Sequence, residues 1–302
     1  MSLAQATGAT GAATSPWWMT SFRPFGFQHF LPAGLALAGM SIIAAIGWRL
    51  AGTPRERRMR LSIAWICFAY AVFVSLWYIS PWKLVWSRSL PLHMCDVMVL
   101  LAPLALITQN RTLRTLNCFW GVTLCTQAFM TPILSIGLND FEYYTFWTSH
   151  AIIVGSSLYD YTAGRFRPTG KDYKVCVGWG LVWIVTVFLV NILLDKLGYT
   201  GANYGYVGKS IPSQPTIVDK LGAWPFRAVL VAAIAISACG GTFLGSRLFE
   251  RAEGNGPSLR RWPTIATLVA FFSIGAAMLV AGVIDAQDPK PPKAKTDQTP
   301  TS

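Results

Sequence analysis

Apolar runs of bilayer-crossing length, separated by short polar loops, constrain this chain more than any other feature. They cover residues 30–50, 61–79, 90–108, 117–136, 145–161, 175–194, 228–244 and 265–284. A helix needs about 20 apolar residues to cross a bilayer core. The 302 residues would by length alone suggest two soluble domains. With 53% hydrophobic and 13% charged residues and a mean hydropathy of +0.43, they specify a membrane protein instead. The expected fold is all-α, a polytopic transmembrane helix bundle of about eight spans. Residues 1–29 read as a disordered and interfacial N-terminal segment: 1–16 are rich in Ala, Thr, Gly and Ser, and 17–29 are aromatic. Residues 30–247 form the main bundle, 248–285 an extra C-terminal span and 286–302 a disordered Pro/Lys tail.

The net charge of +12 does not point to nucleic acid, because the basic residues are spread over short loops with no basic groove. Fifteen of the 25 Lys and Arg flank the ends of spans one, three, five and seven. By the positive-inside rule those connections face the cytoplasm of a multi-pass cell-membrane protein with both termini outside. The partner is membrane lipid. No cofactor is expected, and the composition leaves the oligomeric state open. Cys67, Cys95, Cys118, Cys125, Cys176 and Cys239 all fall in or beside apolar runs, so no disulfide framework is expected. Pro132 is expected to kink the fourth span, and Gly241 with Gly245 to form a small-residue packing face on the seventh.

The third span opens with Leu90-Pro91-Leu92-His93-Met94-Cys95-Asp96. Ionisable groups at membrane depth point to function by default. Ser89 is the expected cap and Pro91 a first-turn residue. On that helix His93 and Asp96 share a face, and Asp96 can orient the imidazole. Cys95 points about 200° away from His93, so its base must come from elsewhere. His150, about five residues into the fifth span, is the matching imidazole by depth. A thiol beside a base is a nucleophile. Asp96 or Asp195 can orient a ring, and Asn191, Asn203 or Trp224 can donate to an oxyanion. Gln127 lies on the fourth span. The chemistry suggested is acyl transfer through a thioester, with Cys95 as nucleophile and His150 as base.

Plainer readings stand beside this one. A cysteine in a membrane helix is ordinarily a packing residue. His29 reads as an interfacial anchor, Asp160 as a structural partner of Arg165 and Arg167, and Asn191 as interhelical glue. A rival reading gives His29, His93 and His150 to a zinc-dependent hydrolase, although their spacing matches no metal motif. Another is a transporter or lipid-binding protein, which would call for a broken mid-membrane helix.

The Leu90–Asp96 stretch resembles the signature of the YwaF-like bacterial integral membrane proteins, which are similar to the transmembrane-protein-164 acyltransferases of animals. Phe119-Trp120-Gly121, Gln127 with Thr131-Pro132, Ser149-His150, Arg165-Phe166-Arg167-Pro168, Asn191, Asn203-Tyr204, and Asp219 with Gly222, Trp224 and Pro225 support the resemblance. It spans about residues 25–245. It implies a Cys–His acyltransferase acting on phospholipid acyl chains, carried over to Cys95 and His150. The chain departs from the pattern after Pro225, where Phe226 and Arg227 stand in place of a second Trp and another aromatic.

Overall fold

The computed structural model describes residues 16–211 and 216–253. Residues 1–15, the tail from 286 and the eighth apolar run lie outside them. The described chain is helical: α1 (Trp17–Thr20), α2 (Phe27–Leu50), α3 (Pro54–Tyr78), α4 (Met94–Thr108), α5 (Arg111–Leu116), α6 (Phe141–Thr162), α7 (Gly170–Lys196) and α8 (Phe226–Glu253). The only strand-like pairing among the described residues is an isolated bridge between Ser21 and Ile136. Among the described residues four helices are long and apolar enough to cross a membrane: α2, α3, α7 and the Phe226–Arg247 part of α8.

The helix at the centre is not one of those four. α6 packs against α2, α4 and the segment that continues α5. Its buried face carries His150, Ser156, Ser157 and Asp160 among apolar neighbours such as Ile153. Those polar groups lower its hydropathy, and packing inside the bundle keeps them away from lipid. The outer helices show the reverse: Ile42, Ile66, Val182, Leu189 and Val229 are exposed, as a lipid-facing surface requires.

Local chemistry sets the helix ends on the basic side. Thr53 caps α3 by accepting from the Glu56 amide, with Pro54 in the first turn. Thr169 and Asp172 form a reciprocal capping box on α7. Asp172 also receives Arg111 at 2.6 and 2.9 Å. Arg114 forks onto Asp160 at 3.0 Å to each oxygen and donates to the Gly164 carbonyl. Asp160 is therefore structural, but its partner is Arg114 rather than Arg165 or Arg167. Arg60 pairs with Glu56 and donates to the Leu106 carbonyl.

Five expectations from the sequence need correction. The third span does not begin at Leu90. His93 takes extended backbone angles (φ −66°, ψ 151°) and the helix starts at Met94. Ser89 accepts from the Val85 amide and donates to the Lys83 carbonyl, which ties up a turn instead of capping a helix. The fourth span does not run to residue 136 or kink at Pro132. α5 passes into a π-helical turn, Asn117–Leu124, then a 3-10 turn, Cys125–Phe129, and the helix ends before the proline. Among the described residues nothing would come within 4 Å of a Cβ at Gly241 or Gly245. The tight approach is at Gly121 in the π segment, where a Cβ would collide with Ser157 Oγ. α6 starts at Phe141, capped by Asp140, four residues before the apolar run.

Candidate functional site

A cavity of about 1410 Å³ opens between α2, α4, the π and 3-10 turns, α6, α7 and α8. It exceeds the roughly 300–1,000 Å³ of an ordinary small-molecule pocket. Phe30, Ile133, Leu181 and Ile234 line it and are also exposed on the outer surface, so its wall reaches the face turned to lipid. His93, Cys95, Asp96, Gln127, Ser149, His150, Asn203 and Tyr206 are among the polar residues of the lining.

Cys95 and Asp96 sit in the first turn of α4 because His93 stops short of it. The Asp96 carboxylate accepts the backbone amide of His93 at 3.1 Å through Oδ2. The other oxygen, Oδ1, receives the Cys95 thiol at 3.8 Å. Asp96 thus orients the helix start and the thiol, not the His93 ring. That ring lies between Tyr204 and Tyr206, with centroids at 5.2 and 5.6 Å, and its Nδ1 accepts from the Gly205 amide at 3.4 Å.

His150 lies nine residues into α6 rather than five, roughly 14 Å along the axis at 1.5 Å per residue. Its Nδ1 donates to the Phe146 carbonyl at 2.7 Å. In the neutral ring that bond fixes the tautomer and leaves Nε2 with its lone pair. The ring is wedged by Phe146 and Phe129, at centroid distances of 4.5 and 6.4 Å. Cys95 and His150 line one cavity, and no hydrogen bond joins them among the described residues.

His29 is not an interfacial anchor. It is buried, its Nδ1 accepts from the Phe25 amide, and its Nε2 donates to the Phe129 carbonyl at 2.9 Å. It fastens α2 to the end of the broken helix, with both nitrogens committed. Among the described residues no three His, Cys, Asp or Glu converge as a metal site, so the three-histidine ligand set does not assemble.

The remaining candidates form the frame of a loop. Asn191 receives the Tyr204 amide and donates to the Tyr204 carbonyl, both at 2.9 Å. Both ends of its amide are engaged there. Asn203 Oδ1 takes the Gly208 amide at 2.9 Å. Trp224 Nε1 donates to the Val207 carbonyl at 3.1 Å and its ring stacks on Phe188. Asp195 pairs with Lys209 at 2.7 Å on the surface and does not reach an imidazole. Tyr204 Oη accepts from the Leu90 amide at 3.0 Å and donates to the Trp86 carbonyl at 2.9 Å. Arg227, where an aromatic was expected, is fully buried and holds Asp219, Ser210 and the Gly208 carbonyl. Burial alone would raise the Asp219 carboxyl, but hydrogen bonds from Ser210 and Thr216 and the Arg227 charge hold it below the usual carboxylate range.

The sequence places Tyr206 in the long outer loop with Asn203, Tyr204 and Trp224 but assigns it no role. Gly205 and Tyr206 both adopt positive φ, 62° and 61°. That turn carries the Tyr206 ring over the cavity beside His93.

The model of the TMEM164 family matches residues 24–243. No curated protein and no solved structure matches the chain. The match covers most of the chain and all of the elements that line the cavity; the chain belongs to the TMEM164 family.

Proposed function

We propose that this multi-pass member of the TMEM164 family is a thiol-dependent acyltransferase that moves acyl chains between membrane lipids. One observation carries the reading. A thiol hydrogen-bonded to a carboxylate, and an imidazole with a free Nε2, face the same large cavity beside the lipid-facing surface. In the first half-reaction Cys95 passes its proton to Asp96 and its sulfur attacks the ester carbonyl of a donor lipid. Collapse of the tetrahedral adduct leaves a thioester and expels the lysolipid alkoxide, which takes the proton from Asp96. In the second, His150 Nε2 accepts the hydroxyl proton of the acceptor as its oxygen attacks the thioester. The thiolate leaves and recovers that proton. General acid–base assistance of this kind contributes about 10²–10⁴-fold in rate.

The Leu90–Asp96 signature supports placing the chain among YwaF-like members. The charge bias supports a cell-membrane protein with the basic end cytoplasmic and the cavity loops outside. Incubation of the purified protein with a phospholipid bearing an alkyne-tagged acyl chain tests the mechanism. A hydroxylamine-labile tag on Cys95, absent in Cys95→Ala, is the expected result. Undiminished acyl transfer by Cys95→Ala overturns the nucleophile.

A second reading has its own support. The helix α5–Phe129 is broken within the bundle, as a transporter or lipid-binding protein would call for. Lipid binding to both wild type and Cys95→Ala with no acyl-enzyme in either favours it.

A further inference from the structure

Tyr206 lines the cavity in an exacting position, beside the Trp183 Nε1, which is unpartnered among the described residues. The Tyr206 hydroxyl makes no hydrogen bond to any described residue, yet its backbone is among the most tightly fixed in the loops. Its neighbours Tyr204 and Gly205 are held by the Asn191 amide, by His93 Nδ1 and by Tyr204 Oη on Trp86 and Leu90. Asn203 and Arg227 fasten Gly208 from the other side. Tyr206 itself takes a left-handed conformation, which a bulky residue keeps only when its surroundings demand it. Gly205 before it has φ 62°, and a Cβ there would stand 2.8 Å from the Trp183 ring.

The fixed ring sits 5.6 Å from His93, over the turn that presents Cys95 and Asp96. Burial, with the Cys95 and Asp96 charges close by, raises the phenol above its ordinary value, so Tyr206 keeps its proton as a donor at neutral pH. Asn191 donates to the Tyr204 carbonyl and Trp224 to the Val207 carbonyl, while Asn203 accepts the Gly208 amide through its oxygen. The loop they fasten presents the Tyr206 O–H to the cavity.

We propose that Tyr206 is a catalytic residue whose phenol donates to the oxyanion formed when the Cys95 sulfur adds to an acyl ester carbonyl. The inference rests on the acyl-transfer reading. As the C–S bond forms, the carbonyl π pair moves onto oxygen and accepts the Tyr206 hydrogen bond. As the adduct collapses, that pair re-forms the carbonyl and the ester C–O bond breaks. The phenol keeps its proton throughout. The same donor serves the second half-reaction, whose adduct has the same oxygen.

Tyr206→Phe tests this, because no described hydrogen bond is lost and the loop clamps remain. The readout is single-turnover formation of the Cys95 thioester from an alkyne-tagged phospholipid. Loss of one oxyanion donor costs about 10²–10³ in rate. The expected result is a fall of that size, with alkylation of Cys95 by iodoacetamide and the melting temperature unchanged, since alkylation forms no oxyanion. Replacement of Tyr206 by a fluorotyrosine, a more acidic donor, should raise the acylation rate above wild type; a purely structural ring would not respond. Wild-type acylation by Tyr206→Phe overturns the inference, as does a parallel loss of alkylation and acylation. Absence of any thioester in the wild-type protein instead removes the acyl-transfer reading on which it stands.

Discussion

The two ends of the bundle treat buried acids in opposite ways. At the basic end Asp160 and Asp172 each meet an arginine, Arg114 and Arg111, and Glu56 meets Arg60. At the cavity end Asp96 has no lysine or arginine against it among the described residues. It accepts only a backbone amide and a thiol. A carboxylate already neutralised by a guanidinium is a poor proton acceptor, whereas one held by weak donors remains basic. The first arrangement makes a scaffold. The second makes a site, and the charge pairs at that end, Arg227 with Asp219 and Lys209 with Asp195, fasten its loops and leave Asp96 unpaired.

If that contrast is right, substitutions at one end should cost activity and at the other stability. The largest effect is expected from Cys95→Ala: complete loss of the acyl-enzyme by mass spectrometry, with a melting temperature close to wild type. Next comes Asp96→Asn, which keeps an oxygen for the His93 amide but removes the base. Thioester formation should fall by about 10²–10⁴-fold; an unchanged rate would put the two ends back on one footing. Arg114→Ala leaves the Asp160 charge buried and unpaired, a cost of about 3–5 kcal/mol in unfolding. Adding Asp160→Asn should return most of it, and a stable Arg114→Ala alone would break the comparison from the other side. Asn191→Ala removes both clamps on Tyr204 and should cost about 1–3 kcal/mol while also slowing acylation, because it loosens the loop that carries Tyr206. The smallest effect is an acid one. The Asp219 carboxyl is depressed in the fold, so its contribution is present above the ordinary carboxylate value of about 4 and is lost as pH falls through the folded value. Hydrogen exchange in the Asn203–Gly208 loop should rise in that window, and should be insensitive to it in Asp219→Asn.

Much of the bundle is legible in the sequence because lipid-facing helices must be apolar along their length. That is why α2, α3 and α7 fall close to their apolar runs. Where a helix is surrounded by protein the rule lapses. α6 begins four residues early because Asp140 caps it, and no hydropathy reading anticipates a cap. The fourth span gives way to π and 3-10 turns although residues 117–129 are largely apolar. The close seat of Gly121 on Ser157, and Ser157 Oγ donating to the Asn117 carbonyl at 2.7 Å, are long-range facts. For the site, residue type pointed to Cys95, Asp96 and His150, since a thiol, an acid and an imidazole are costly beside lipid. It does not reveal how Asn191, Asn203 and Trp224 frame the loop. Each is polar at the cavity end, but its partner is a loop carbonyl or amide that spacing does not reveal.

The cavity wall that coincides with the outer surface at Phe30, Ile133, Leu181 and Ile234 has a kinetic consequence. A lipid arriving there diffuses in two dimensions and never crosses water. Its effective concentration is a mole fraction of the leaflet, not a molarity. Diluting the substrate with inert phospholipid at constant bulk amount would therefore slow the protein, and adding more vesicles of unchanged composition would not.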